Sequence, residues 1–328
     1  MGQIISQEFP PTPKLTEKNL PDQSGKVYLI TGATSGVGKA LSGILYGANA
    51  KVYMTGRSSE KGASSIAQLK AEHPNSHGEL VYLHLDLSDL SIVKSAASEF
   101  LSRESRLHVL FNNAGVMFTP KDTPRTKQGY EVQLGTNAIG PFLFTKFLTP
   151  ILLATAREEE RVKSEVGQIR VVWASSSFAS YFAPPGGVDM SNLDYKTDRI
   201  GLVKYSSSKA ANTLYSAEFA RLYGKDKLVS ISVDPGNLRT ELHRNSSLFQ
   251  LAVRLFLHDP IYGAYTELFA GLSPELTLET NNAFLAPWGR VLALRRDIDD
   301  ACRTTADGGT GISQAFWKWS EEQVKEYA

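Results

Sequence analysis

One cysteine, Cys302, stands in the whole chain, so no disulfide can form within it, and a reducing compartment, the cytoplasm, is the expected location. An excess of one charge is lacking too. Lys and Arg number 35 against 34 Asp and Glu, a formal net charge of +1 with no long basic block, which excludes an electrostatic footprint for nucleic acid. Residues 1–24 hold Pro10, Pro11, Pro13 and Pro21 but no apolar run that could serve as a signal peptide or a membrane span. They are expected to form an extended N-terminal arm. Its start, Met1-Gly2-Gln3-Ile4-Ile5-Ser6, fits the loose N-myristoylation pattern, a secondary expectation beside a disordered arm, since one acyl chain gives only marginal membrane binding. With so few staples available, stability must come from a core, which a chain of 328 residues can supply.

From Lys26 onward, short β-branched runs alternate with longer amphipathic ones. Strands are expected at 26–30, 51–55, 80–85, 107–111, 169–174 and 229–233, and helices at 39–46, 60–72, 90–103, 127–157 and 203–223. Parallel strands joined by helices cross over right-handed, so the expected fold is α/β, a doubly wound parallel sheet with helices on both faces. The charged stretch 157–165 reads as a solvated surface. The apolar, aromatic stretch at 237–275 follows the sixth strand, where open α/β sheets receive their ligands, and is expected to be a helical substrate lid. An ordinary buried helix would space Tyr262, Tyr265 and Phe269 in the same way.

Directly after the first expected strand comes Thr31-Gly32-Ala33-Thr34-Ser35-Gly36-Val37-Gly38, followed at once by a helix. Glycines there permit a tight turn and close approach of the backbone to a pyrophosphate, while the helix N-terminus offers N–H donors. Gly32, Thr34, Ser35, Gly36, Val37 and Gly38 are therefore expected to hold a dinucleotide. Loops also use glycine without any ligand, and it is the position between strand and helix that sets this turn apart. After the second strand, where an NAD site normally places a carboxylate on the adenosine ribose, the chain has Gly56 and then Arg57. A guanidinium there can take a 2′-phosphate bidentately, so NADP(H) is the expected cofactor, the alternative being an Arg57 that merely faces solvent.

The spacing Gly-x-x-x-Gly-x-Gly is joined by Asn112-Asn113-Ala114-Gly115 after the fourth strand and Asn137 in Thr-Asn-Ala-Ile-Gly. Ser175-Ser176 end the fifth strand, Tyr205-Ser-Ser-Ser-Lys209 lie in a helix and Asp234-Pro235-Gly236 follow the sixth. In this order the motifs resemble those of the short-chain dehydrogenase/reductase family. The resemblance implies a single Rossmann-fold domain over 25–328, with a parallel seven-stranded sheet and a C-terminal segment at 280–328. It also implies that Asp86, Leu87, Asn113, Ala114, Gly115, Pro235, Gly236, Leu238 and Thr240 line the cofactor channel. Asp86 would contact the adenine amino group; its other reading is a helix cap near Ser88.

Tyr205 and Lys209, four residues apart in a helical window, project from one face. A nearby ammonium lowers a phenol's pKa towards the working range of a general acid/base. Ser176, at the carboxyl end of the fifth strand, can donate a hydrogen bond to a substrate oxygen as charge develops there, with Ser175 and Ser177 as rivals. The resemblance further implies that Lys209 holds the nicotinamide ribose and that hydride is delivered from the pro-S face. By the same resemblance Asn137 kinks its helix and holds a water for proton relay, beside a purely structural reading.

Between Ser176 and Tyr205 lie 28 residues, including Phe178, Tyr181, Phe182 and Pro184-Pro185-Gly186-Gly187. This insertion resembles retinol dehydrogenase-like members, and the chain's two ends resemble fungal reductases of that branch. Together these readings imply an NADP(H)-dependent reductase of a lipophilic ketone or aldehyde, or the reverse, in fungal secondary metabolism. Ser176, Phe178 and Tyr205 are the expected substrate contacts, and no metal is expected. A non-redox isomerase, cyclase or dehydratase using the same tyrosine is the alternative, and a cofactor-binding regulator is a third. A homodimer through the helices bearing Asn137 and Tyr205 is expected, subject to the charged stretch at 157–165.

Overall fold

The computed structural model describes residues 6–7, 9–117, 125–161, 168–239 and 257–328. Seven parallel strands form in chain order: β1 Val27–Ile30, β2 Lys51–Gly56, β3 Glu79–His84, β4 Val109–Asn112, β5 Arg170–Ala174, β6 Val229–Val233 and β7 Phe284–Ala286. An eighth, β8 (Arg290–Val291), runs antiparallel on β7 and extends the expected seven-stranded sheet by one short edge strand. The order across the sheet is β3-β2-β1-β4-β5-β6-β7-β8. Chain direction across the sheet therefore reverses between β1 and β4, and a crevice opens beyond their carboxyl ends. β1, β4, β5 and β6 are buried along their whole length; β1 reads as an unbroken apolar run, while β6 alternates Val and Ile with the buried serines Ser230 and Ser232.

Helices cover both faces. Against one face lie α1 (Gly36–Gly47) and α2 (Ser59–Glu72), while α3 (Leu90–Arg103), α4 (Val132–Arg161) and, after the short α5 (Ser177–Phe182), α6 (Gly201–Tyr223) cover the other. By length and composition α4 could cross a membrane, yet it is largely buried as a core helix. The next helix, α7 (Pro260–Leu272), falls within the stretch expected to be a lid. Instead it packs beside α1 under the sheet, with Tyr265, Leu268 and Phe269 buried in the core. Its lower end is held by the buried Arg170 of β5, whose guanidinium donates to the carbonyls of Ala270, Ser273 and Leu276 at 2.8–3.0 Å. Those are the carbonyls a helix C-terminus leaves unpaired.

The C-terminal segment adds α8 (Arg296–Cys302) and α9 (Ile312–Val324). α9 lies on the outer side of α4 and α6, where Phe316 stacks on Tyr215 and Trp317 meets Phe142 edge-on. The chain's own helix thus sits where the sequence reading placed a partner copy. Arg295, just before α8, donates to the carbonyls of Ser180, Ala183 and Pro184 and clamps the insertion that follows α5. From Lys14 to Gln23 the N-terminal arm packs against the body. Gln23 N–H donates to Ala48, Leu15 and Leu20 pack on the α1/α7 core, and Lys14 pairs with Glu275.

Candidate active site

A cleft of about 760 Å³ opens above the sheet at the β1/β4 reversal. At one end stands the glycine turn. Gly32 (φ +66°) and Gly36 (φ +56°) adopt the left-handed region, and a Cβ on Gly32 would press on Ala114 at 3.0 Å. A Cβ on Gly38 would lie 2.6 Å from the Asn113 amide and 2.7 Å from the Gly32 carbonyl, so helix and strand meet only because glycine is there. Asn113 donates to the Thr31 carbonyl at 2.7 Å, and Ala114 N–H donates to the Thr31 hydroxyl at 2.9 Å, locking the β1 and β4 tips together. Ser35 caps α1 without a side-chain hydrogen bond, leaving the helix N-terminus to face the cleft. Gly32, Thr34, Ser35, Gly36 and Val37 all line it; Gly38 lies in the packed first turn of α1.

Further along the wall come Arg57, Asp86, Leu87, Asn113, Ala114, Gly115, Pro235, Gly236 and Leu238. Arg57 is exposed at the rim beside Ser58 and Lys61. A side chain at Gly56 would collide with the Thr34 methyl at 2.8 Å. Asp86 accepts from the backbone N–H of Ser88 at 2.9 Å and from its hydroxyl at 2.6 Å, closing a turn, while Asp89 provides the cap of α3. Thr240 and the lid residues 240–256 lie outside the described residues.

Toward the other end, Ser176, Phe178, Tyr205 and Lys209 share one wall. Ser176 caps α5, accepting the Phe178 N–H at 3.2 Å, and its hydroxyl is hydrogen-bonded to the Tyr205 phenol. Its rivals are placed apart from this pair. Ser175 donates to the Lys209 carbonyl at 2.9 Å, and Ser177 does not line the cleft. Phe178 stands edge-on to the Tyr205 ring, with centroids 6.1 Å apart. Lys209 Nζ lies 5.9 Å from the centre of that ring and donates to the Ala174 carbonyl at 2.9 Å. Asn137 is fully buried in a five-residue π-helical segment, Gly135–Ile139, at the start of α4. Its amide accepts from Val116 N–H at 2.7 Å and donates at 2.9 Å to both the Val116 carbonyl and the Ser208 hydroxyl, so the side chain orders the segment after β4.

The electrostatics depart from the sequence reading. Burial raises the Tyr205 phenol above its ordinary value, Asp234 adds to the rise, and the Ser176 hydroxyl opposes it. Burial also pulls the Lys209 ammonium down to about 8 against the pull of Glu267 and Asp234. The expected lowering of the phenol by the lysine is therefore outweighed: spacing reveals that the two are neighbours, but not how deeply both are buried.

Three residues were given no site role in the sequence reading, Asp234 having been named only as part of a motif. Asp234 is buried beside the Tyr205–Lys209 pair and accepts from Gly236 N–H at 3.1 Å. Thr136 lines the cleft with a buried hydroxyl that has no partner among the described residues. Glu267, on α7, is wholly buried with neither carboxyl oxygen hydrogen-bonded, and burial pushes its pKa up to about 8 against the opposing pull of Lys209. A lone acid in an otherwise apolar helical window was the available signal.

Comparison with known proteins agrees with this geometry. The family described as short chain dehydrogenase matches residues 26–183. A short-chain dehydrogenase/reductase of Phomopsis amygdali is 51% identical over 328 residues, spanning 98% of this chain and 96% of its own. Among solved structures, an uncharacterized protein of Mycobacterium Paratuberculosis has a TM-score of 0.70 at 27% identity, over 96% of this chain and 98% of its own. The NADPH-bound carbonyl reductase from chicken fatty liver has a TM-score of 0.59 at 22% identity, over 84% and 100%, a likeness of fold.

Proposed function

The chain belongs to the short-chain dehydrogenase/reductase family, and from that premise we propose that it is an NADP(H)-dependent reductase of a lipophilic ketone or aldehyde, or of the corresponding alcohol in reverse. The convergence of Ser176, Tyr205 and Lys209 on one wall of a cleft that ends in a glycine-lined helix N-terminus carries this reading. The cleft fits a dinucleotide. Gly32 and Gly38 let the turn and α1 pack against Ala114 and Asn113, so that the backbone of the turn lines the cleft and the α1 terminus presents N–H donors to a pyrophosphate. For NADP(H) over NAD(H) speak Arg57 at the rim, the steric bar to a side chain at Gly56, and an Asp86 already bonded to Ser88.

When bound, the nicotinamide supplies the hydride. Tyr205 donates the proton to the carbonyl oxygen, and a phenol whose pKa is raised by burial keeps that proton at neutral pH, which suits the reductive direction. Ser176 donates a hydrogen bond to the same oxygen and orients the phenol. Lys209 holds the ribose and returns a proton to Tyr205, positioned by the Ala174 carbonyl. Asn137 keeps the β4 segment, and with it Gly115, in place; a Cβ on Gly115 would lie 3.1 Å from Lys209 Nζ. Phe178, Met117 and Val132 give the substrate end an apolar lining.

The retinol dehydrogenase-like branch, a place in fungal secondary metabolism, and a cytoplasmic location belong to this proposal; the Gly2 acylation signal lies outside the described residues. The homodimer belongs to it as well, with α9 packed on the outer side of the α4 and α6 face expected to pair. Tyr205→Phe is expected to lower turnover of a hydrophobic ketone by about 10²–10⁴-fold while NADPH binding, read by fluorescence titration, stays unchanged. Retained turnover, or product formed with no change in cofactor absorbance, would overturn the reading.

A further inference from the structure

The substrate end of the cleft has two walls that rise to the surface. On one side α5 carries Phe178 against Tyr205, Phe182 edge-on to Phe178 at 5.4 Å and Tyr181 edge-on to Phe182 at 6.2 Å, a stair of rings leading outward. Tyr181 and Phe182 remain partly exposed, at 37% and 44%. On the other side Gly236 lines the cleft, backed by Trp288; a Cβ on Gly236 would lie 2.9 Å from that indole. The Trp288 turn is tied by Arg290, whose Nε donates to the Pro287 carbonyl at 2.6 Å.

Two consecutive residues of the N-terminal arm touch both walls. Arg290 Nη2 donates to the Ser6 carbonyl at 2.6 Å, and the Tyr181 hydroxyl donates to Gln7 Oε1 at 3.2 Å. Further along, the arm is held along α7. Lys14 pairs with Glu275 beyond the lower end of that helix and sits over the Phe269 ring, and Glu17 accepts from the Tyr265 hydroxyl at 2.8 Å. A segment nearly three hundred positions from Arg290 in sequence is thus fastened across the rim of the cleft.

We infer that Ser6 and Gln7 form the outer wall of the substrate entrance and limit the size of the carbonyl compound admitted. This rests on the reductase reading of the cleft. The two bonds, from the Arg290 guanidinium to a backbone carbonyl and from the Tyr181 hydroxyl to an uncharged amide, lie at the surface, where water can take the place of each partner, so they can part and reform with each turnover, whereas an apolar plug would leave bare hydrocarbon behind. The glutamine also puts a polar group at the hydroxyl edge of Tyr181, the outermost ring of the stair.

The test compares the full chain with a deletion of residues 1–9 and with Gln7→Ala and Tyr181→Phe, none of which alters the cofactor or proton-transfer groups. With NADPH saturating, kcat/KM is measured for cyclohexanone and for 4-cyclohexylcyclohexanone. The ratio of bulky to small substrate is expected to rise about tenfold in the deletion and about threefold in each point variant, with NADPH affinity unchanged. A ratio within twofold of the full chain in all three would overturn the inference. A second readout needs no turnover: the association rate of 1-anilinonaphthalene-8-sulfonate with the NADPH-loaded protein is expected to rise several-fold on deletion, and an unchanged rate overturns the inference. If neither ketone is reduced by any form while the dye rate still rises, the reductase reading fails and the entrance wall stands.

Discussion

At the nucleotide end of the cleft the walls are backbone, while at the substrate end they are side chains. Gly32 meets Ala114 and Gly38 meets Asn113 at distances that leave no room for a Cβ; Gly32, Asn113 and Ala114 lie within two residues of a strand tip, and Gly38 lies in the first turn of α1. Across the cleft, the rings of Phe178 and Phe182, the indole of Trp288 and the arm at Ser6–Gln7 come from three distant stretches and touch largely through side chains. The first kind of wall fixes one ligand shape and tolerates little change. The second can be resurfaced one residue at a time, which lets a family keep its cofactor while changing its substrate.

The contrast can be broken from either side. The largest effect is expected in the side-chain-built region, where Phe316→Ala removes a fully buried ring stacked on Tyr215 and should cost about 3–5 kcal/mol in denaturant unfolding. A loss under about 1 kcal/mol would mean that α9 is only loosely attached. Next, Gly38→Ala forces a methyl against Asn113 and the Gly32 carbonyl, and overpacking of about 1–3 kcal/mol should weaken NADPH binding by roughly 10- to 100-fold. Unchanged affinity would show that the backbone end yields as easily as the other. A smaller change, about tenfold, is expected for Arg57→Ala, confined to NADPH and sparing NADH, because one exposed guanidinium meets the extra phosphate. An equal loss for both nucleotides would remove Arg57 from phosphate recognition.

The smallest effect concerns pH. Glu267 has a folded pKa raised to about 8 from an ordinary 4.5, so between those values the native protein holds a proton that the unfolded chain has released. Stability contributed by this group is therefore full below about 4.5 and is lost as pH rises through about 8. Glu267→Gln should flatten that decline in melting temperature over the same window; an unaltered slope would mean that the carboxyl finds a partner when ionised.

How much of this was legible in the sequence follows the same division. The strand tips and the glycine turn were readable because local sterics dictate them: six expected strands appear, shifted by a residue or two where a neighbour claims the backbone. The strand expected from 107 begins at Val109, because Leu107 N–H is bound by the Thr155 hydroxyl. Tyr205 and Lys209 could be paired by their helical spacing, whereas Asn137, and Ser176 over Ser175 and Ser177, came from the family resemblance. Packing between distant segments was not readable. Tyr265 and Phe269 have the spacing of either a lid or a core helix, and only the sheet beneath them, with Arg170 pinning the carbonyls at the helix end, decides for the core. The sign of the Tyr205 shift was equally hidden, since depth of burial is a property of the whole fold.

The π-helical segment Gly135–Ile139 has a consequence of its own. Such a turn carries one more residue than the helix around it, so Asn137 owes its aim to a count rather than to a bond. Shortening the segment by a single residue would restore regular pitch, leaving the flanking turns nearly in register but re-aiming the residues of the bulge itself. The asparagine would then be present, unmutated and out of phase with Val116 and Ser208. Chain length at this spot is as much a determinant of the site as the identity of any side chain in it.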